Sequence, residues 1–384
     1  MTPTGAPLSI LLVGDYPPDQ TLGSPKVFFK LRQEFEQLGH QCDMLLAPDI
    51  AGPSSRQVRQ LLSPWLAGRV IMQRLDESRI DVVDAAGAEG LGFAVARQMG
   101  KHRSTAFVCR SNGLEHRNYQ RMLDDASDGL VSKPWTRRVW YPASRLSQVS
   151  AAARAADRLL LLNEGDRRYA LARGWQSADR IDLVPHGVAD EFLASDPGDD
   201  APRGQGLLFC GSWDIVKGVP YLVRAFQQLH EAGSRHALTI LGPGVPASAV
   251  LEAFEPHVRS SIRVIDRAPE DLVRRAYREH DVLLWPSTYE GFGLVLIEAM
   301  SQRMPVVATS VGCATSLIRD NVNGVLVAPR DPSALAGAVA RLMGDATARR
   351  RLGAAARSTV DGLSWRACAE HTIRSYRRAI EDRP

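Results

Sequence analysis

A chain of 384 residues, 45% hydrophobic and 23% charged, has an ordinary globular composition and is long enough for two cores. The formal net charge of +4, from 47 basic and 43 acidic residues, is too balanced to argue for a nucleic-acid partner. Apolar runs fall far short of the ~20 residues a membrane span needs. The apolar run near the N-terminus lacks a preceding basic segment, which argues against a signal peptide. The five cysteines are scattered without CxxC spacing, and the nine histidines form no zinc constellation. A cytoplasmic protein with reduced thiols and no resident metal is the expectation.

In chain order, SILLV (9–13) reads as a first buried strand. Val27, Phe28, Leu31, Phe35 and Leu38 then recur at helical spacing, and QCDMLLA (41–47) reads as a second strand. This is a β-α-β opening of a doubly wound domain. An arginine-dotted helical stretch covers 56–79, RIDVVDAAG (79–87) reads as a strand, EGLGFAVARQMG (89–100) as a helix and STAFVCRSNG (104–113) as a strand and turn. Asn112 with Glu115 three residues on has the spacing of a capping box. KPWTRRVWYPASR (133–145) mixes basic and aromatic side chains, as a solvated helix face or a peripheral membrane contact would. Strand and helix follow in 155–175, and RIDLVPHGV (180–188) is the last strand of this half. His186 stands where open α/β sheets bind ligands, or is a turn residue.

Residues 195–205, SDPGDDAPRGQ, read as a linker. The second half repeats the alternation: a strand in 206–213, a loop and helix in 214–230, a strand in 236–244, and strand, loop and helix in 261–281. The stretch 283–305, LLWPSTYEGFGLVLIEAMSQRMP, places a buried strand, a turn, Glu290, the pair Gly291 and Gly293, and a helix carrying Glu298 in sequence. A glycine-rich turn entering a helix N-terminus is an anion site, because first-turn amides point outward and the macrodipole favours negative charge. Two carboxylates flanking that site would accept bonds from sugar hydroxyls. Helices close the chain in 331–345, 347–360 and 363–384.

PSTYEGFGLVLIEAMSQRMPVVAT resembles the donor-site signature of retaining glycosyltransferases with the GT-B fold, the family 4 type also called glycosyl transferases group 1. That resemblance implies an α/β protein of two Rossmann-like doubly wound domains facing across a cleft. Its divisions would be 1–192 for the acceptor, a linker at 193–205, 206–363 for the nucleotide sugar, and 364–384 as a helix crossing back to the first domain. It implies transfer from a nucleotide-diphosphate sugar to a hydroxyl acceptor, with retention and with neither metal nor cofactor.

By the same resemblance, Glu290 orients the donor sugar and Glu298 the ribose, while Gly291, Phe292, Gly293 and Leu294 meet the diphosphate. Gly211, Lys217 and Gly218 match the family's Gly-Arg…Lys-Gly pattern, with Ser212 in the arginine's place. Gly23 belongs to the loop after the first strand, and Ala268 to the loop that holds the base. Asn112 takes the place of the usual sugar-contacting histidine, so any base must be Glu115 or His116. His186 takes an asparagine's place on the acceptor side. Arg303 stands where a glycine is usual. Two other readings stay open: a catalytically impaired GT-B binding or regulatory subunit, and a nucleotide-sugar epimerase. Neither half has a GxGxxG after its first strand, which argues against a dinucleotide-dependent dehydrogenase.

Overall fold

The computed structural model describes residues 5–20, 23–132, 135–198 and 203–383. Two compact units divide the chain, one of 1–186 with 365–384 and one of 187–364. The last helix, Trp365–Glu381, thus belongs to the first unit.

In the first unit, β1 (Ser9–Val13), β2 (Gln41–Leu45), β3 (Val82–Ala86), β4 (Ala106–Arg110), β5 (Arg158–Leu161) and β6 (Ile181–Leu183) form a parallel sheet. Their order is β2-β1-β3-β4-β5-β6, so the strand order reverses between β1 and β3. β3, β4 and β5 are buried throughout, as expected for parallel strands covered on both faces. Buried charges are paired within this unit. Arg110, 1% exposed, bonds Asp84, which also accepts from Tyr376 of the last helix at 2.5 Å. Arg158 bonds Asp182 at 2.7 Å and Asp382 at 2.7 Å.

In the second unit, β7 (Leu207–Cys210), β8 (Leu238–Leu241), β9 (Ile262–Ile265), β10 (Val282–Trp285), β11 (Val306–Thr309) and β12 (Val325–Val327) run parallel in the order β12-β11-β10-β7-β8-β9. Here the reversal lies between β7 and β10. In open α/β sheets ligands bind beyond the carboxyl ends of the strands at such a reversal. Each unit therefore has one geometrically favoured site.

Several sequence expectations are corrected. The helix after β4 is Glu115–Ser127, its N-cap is Leu114, and Asn112 makes no capping box. Part of the expected linker is packed structure. Arg203 donates to the carbonyls of Tyr277 and His280, and the helical turn Asp190–Leu193, which the division at 192 puts mostly in the first domain, belongs to the second unit. Arg303, with φ +55°, bonds Asp196 at 2.5 Å and 2.8 Å. That arginine ends its helix in the conformation glycine favours and also clamps 196 to the unit, holding the Asp196 carboxyl down near 2. Of the linker, 199–202 lie outside the described residues, as do 133 and 134 of the basic-aromatic stretch. In the rest of that stretch Val139 is 63% and Trp140 37% exposed. Among the described residues no helix is long and apolar enough to cross a membrane.

Candidate functional site

In the second unit the loops leaving β7 and β10 meet. Beyond β7, Asp214 caps a short 3-10 turn, Ile215–Lys217, by accepting from the Val216 amide at 3.0 Å. Gly218 then turns left-handed at φ +74°, and the helix Val219–Glu231 begins. Beyond β10, the Thr288 amide donates to the Val216 carbonyl at 2.9 Å, which ties the two loops together. The outcome is a direct pair: Lys217 Nζ donates to Glu290 Oε1 at 2.6 Å. Ser287 Oγ donates to the same oxygen at 3.1 Å. From below, Thr309 Oγ1 donates to the Ser287 carbonyl at 2.5 Å.

The helix Leu294–Ser301 starts from Gly293, at φ +111°, which has no side chain to cap the first amides. A Cβ there would stand 2.6 Å from the Trp285 ring. Gly291 and Phe292 are buried in the turn, whereas Leu294 is half-buried. Glu298 is half-buried near Tyr277, whose hydroxyl donates to Cys210 Sγ at 3.4 Å. Burial pushes the Cys210 thiol up to about 12, so it stays protonated. Lys217, Glu290, Gly291, Phe292, Gly293, Leu294 and Glu298 thus gather where β7 and β10 diverge. Ser212 is exposed on the loop after β7, and Ala268 follows β9, the edge strand two places away. The sequence reading missed Ser287, Thr288 and Thr309, whose only signal was a run of hydroxyls beyond a buried strand.

In the first unit a cavity of about 290 Å³ opens beyond β1, β3 and β4. Asp15, Tyr16, Glu89, Asn112, Glu115 and Arg145 are among its lining residues. Arg145 bonds Glu89 at 3.0 Å and 3.2 Å and Glu115 at 2.9 Å and 3.1 Å. Glu115 also accepts from Tyr141 at 3.0 Å, and Glu89 from Ser63 at 3.1 Å. Burial raises the Glu89 carboxyl above its ordinary value, against the pull of Arg145. Asn112 donates to Tyr16 at 3.4 Å, and its Oδ1 is buried without a hydrogen-bond partner among the described residues.

Asn112 and Glu115 therefore share this cavity, but Glu115 is committed to an ion pair. His116 does not line it. Successive helical residues point about 100° apart, and His116 packs on Trp175, 4.8 Å between ring centres, with Ser150 Oγ 3.0 Å away. Burial lowers its pKa to about 4. Gly23 is exposed at the start of its helix and does not line the cavity, although Ser24 does. His186 is 3% exposed, stacked on Trp365 and outside the cavity lining. Asp15, Glu89 and Arg145 escaped the sequence reading because their partners lie far along the chain: 56 residues separate Glu89 from Arg145.

Burial, with the Arg110 charge adding to it, lowers the His186 pKa to about 3. The folded chain holds this imidazole neutral, whereas the unfolded chain protonates it near 6.5. Stability from this group is complete above about 6.5 and is lost as the pH falls toward 3. Between pH 7 and 5 it accounts for about 2 kcal/mol. Urea midpoints for the wild type and H186F at both pH values test this, with a flatter dependence expected in the variant.

Residues 204–345 match the family described as Glycosyl transferases group 1. That match covers most of the second unit. A D-inositol 3-phosphate glycosyltransferase from Frankia alni is 31% identical over 256 residues, covering 62% of this chain and 63% of that one. Another of the same description, from Kineococcus radiotolerans, is 32% identical over 271 residues, covering 63% and 62%. These matches span less than two thirds of either relative. Among solved structures, a sucrose-phosphate synthase from Thermosynechococcus elongatus has a TM-score of 0.74 at 21% identity, covering 96% of this chain and 98% of that one. HepE from Anabaena, solved in complex with UDP, has a TM-score of 0.67 at 15% identity, covering 96% and 99%. Such likeness establishes the fold, GT-B. The group 1 match spans β7 to the helix Pro332–Gly344, so the Lys217–Glu290 pair lies inside the glycosyl-transferase region.

Proposed function

We infer that the chain is a glycosyltransferase. It moves a sugar from a nucleotide-diphosphate sugar to a hydroxyl acceptor with retention at the anomeric carbon. It requires no metal and no cofactor beyond that substrate. The observation that carries the reading is the Lys217–Glu290 pair beside the start of Leu294–Ser301, at the strand reversal of the second unit.

In this reading the bond from the anomeric carbon to the diphosphate oxygen breaks, and the electron pair leaves with the diphosphate. Lys217 and the amides of Leu294 and Val295 stabilise the charge that develops there. Glu290 orients the donor sugar and Glu298 the ribose, each as an acceptor of hydroxyl hydrogen bonds. Ser212 supplies a neutral donor where a cation would give a bond about twice as strong, which places more of the diphosphate's charge on Lys217 and the helix. The acceptor oxygen attacks on the face the diphosphate leaves and passes its proton to a departing phosphate oxygen. The pairing of Glu115 with Arg145 and the position of His116 outside the cavity support that route, because neither offers a free base beside the cavity. The first unit's cavity holds the acceptor. The exposed Val139 and Trp140 support a peripheral contact with the inner membrane face for a cytoplasmic enzyme.

A thermal-shift panel of UDP, GDP and ADP tests this reading. A ligand at 100 times its dissociation constant adds about 2.7 kcal/mol of stability. At least one nucleotide is expected to raise the melting temperature, and by somewhat less in K217A; if none does, the donor site is wrongly assigned.

A further inference from the structure

The first unit's cavity carries a charge pattern that selects among acceptors. Asp15, Glu89 and Glu115 line it, and Arg145 and Arg59 answer them. Arg145 is divided between Glu89 and Glu115 and is only 12% exposed. Arg59 bonds Asp15 at 2.5 Å and the Ala47 carbonyl at 3.1 Å. Arg110, which also lines the cavity, bonds Asp84, while its Nη1 is buried without a hydrogen-bond partner among the described residues. Three carboxylates thus face two guanidinium groups, with the Asp84–Arg110 pair neutral. The buried Oδ1 of Asn112 adds an acceptor with no donor of its own among the described residues. Such a lining suits ligand groups that both donate and accept, as hydroxyls do. A phosphate offers only acceptor oxygens and negative charge, and would meet like charge here.

We propose that this cavity takes a hydroxyl-rich acceptor whose inserted end bears no phosphate, unlike the inositol 3-phosphate named for the two bacterial relatives. The proposal rests on the glycosyltransferase reading for the word acceptor. The charge preference itself belongs to the cavity.

Calorimetric titration of the full chain with inositol 3-phosphate and with inorganic phosphate tests it, in the presence of whichever nucleoside diphosphate stabilises the protein. No saturable binding is expected up to about 10 mM. The double variant E89Q/E115Q leaves one carboxylate against two guanidinium groups, and its affinity for inositol 3-phosphate is expected to rise by roughly tenfold or more. In transfer assays glucose is expected to exceed glucose 6-phosphate as acceptor by about tenfold or more in kcat/KM. Saturable binding of inositol 3-phosphate to the wild type that is lost in R145A would overturn the proposal, as would a cooperatively folded E89Q/E115Q with no gain. If the double variant does not fold, the wild-type titration still decides. A nucleotide panel without any stabilising member sinks the donor-site reading, while the same titrations run without nucleotide continue to measure the cavity's preference.

Discussion

Lys217→Ala is expected to lower sugar transfer by a factor of about 10²–10³, mostly in kcat. The ammonium is the one side-chain cation that the strand reversal brings to Glu290, at 2.6 Å among the described residues. A cation that meets the leaving diphosphate contributes more as charge builds in the transition state than it does in the ground state. Removing it should therefore leave KM for the donor within a small factor. The stability cost should be small, because Lys217 is 30% exposed and the pair is partly screened by solvent. Lys217→Arg keeps the charge and should recover part of the rate. Single-turnover measurements on all three proteins, with donor in excess, separate chemistry from binding. A K217A enzyme transferring at the wild-type rate would remove the leaving-group role.

Gly218→Ala should destabilise the second unit by about 3 kcal/mol or more, from overpacking and backbone strain together. A Cβ there would stand 1.8 Å from the Pro286 carbonyl oxygen, and φ is +74°. Neither neighbour can yield cheaply. Pro286 follows β10 directly, and the Val216–Thr288 backbone bond fixes the loops against each other. For a unit of this size each kcal/mol lowers the melting temperature by roughly 2–4 °C, so calorimetry should show a drop of about 6–12 °C. The same substitution should displace Lys217, its chain neighbour, and reduce transfer as well. As a control, Gly337→Ala meets nothing within 4 Å of its Cβ and should melt like the wild type or slightly above. A G218A protein that melts like the wild type would show that the loops separate freely.

Much of the architecture is legible in the sequence because parallel buried strands are short apolar runs and their crossover helices carry a helical period. SILLV, RIDVVDAAG and GLLFCGSW each contain the strand the structure forms. Elements without such a pattern are absent from that reading. Ser147–Ala155 and Ala247–Glu252 are helices, yet SQVSAAARA and ASAVLE carry little apolar contrast. Arg303 reads as a surface replacement for glycine, but its role depends on Asp196, 107 residues away.

The donor-side candidates were legible as a group because a strand, a turn and a helix start are local, and one contiguous stretch holds Glu290, Gly293 and Glu298. That stretch suffices to show that a helix start after a glycine turn lies between two glutamates. The sequence also places Lys217 near a second glycine turn. That Lys217 and Glu290, 73 residues apart, touch follows from the folded arrangement alone. Their meeting depends on β7 and β10 being neighbours in the sheet, and strand order is a property of long-range pairing that no local pattern encodes. The same holds more strongly in the first unit. There the chain order of Asp15, Glu89, Glu115 and Arg145 conveys nothing about their shared cavity, and burial and partner choice set the charge each presents.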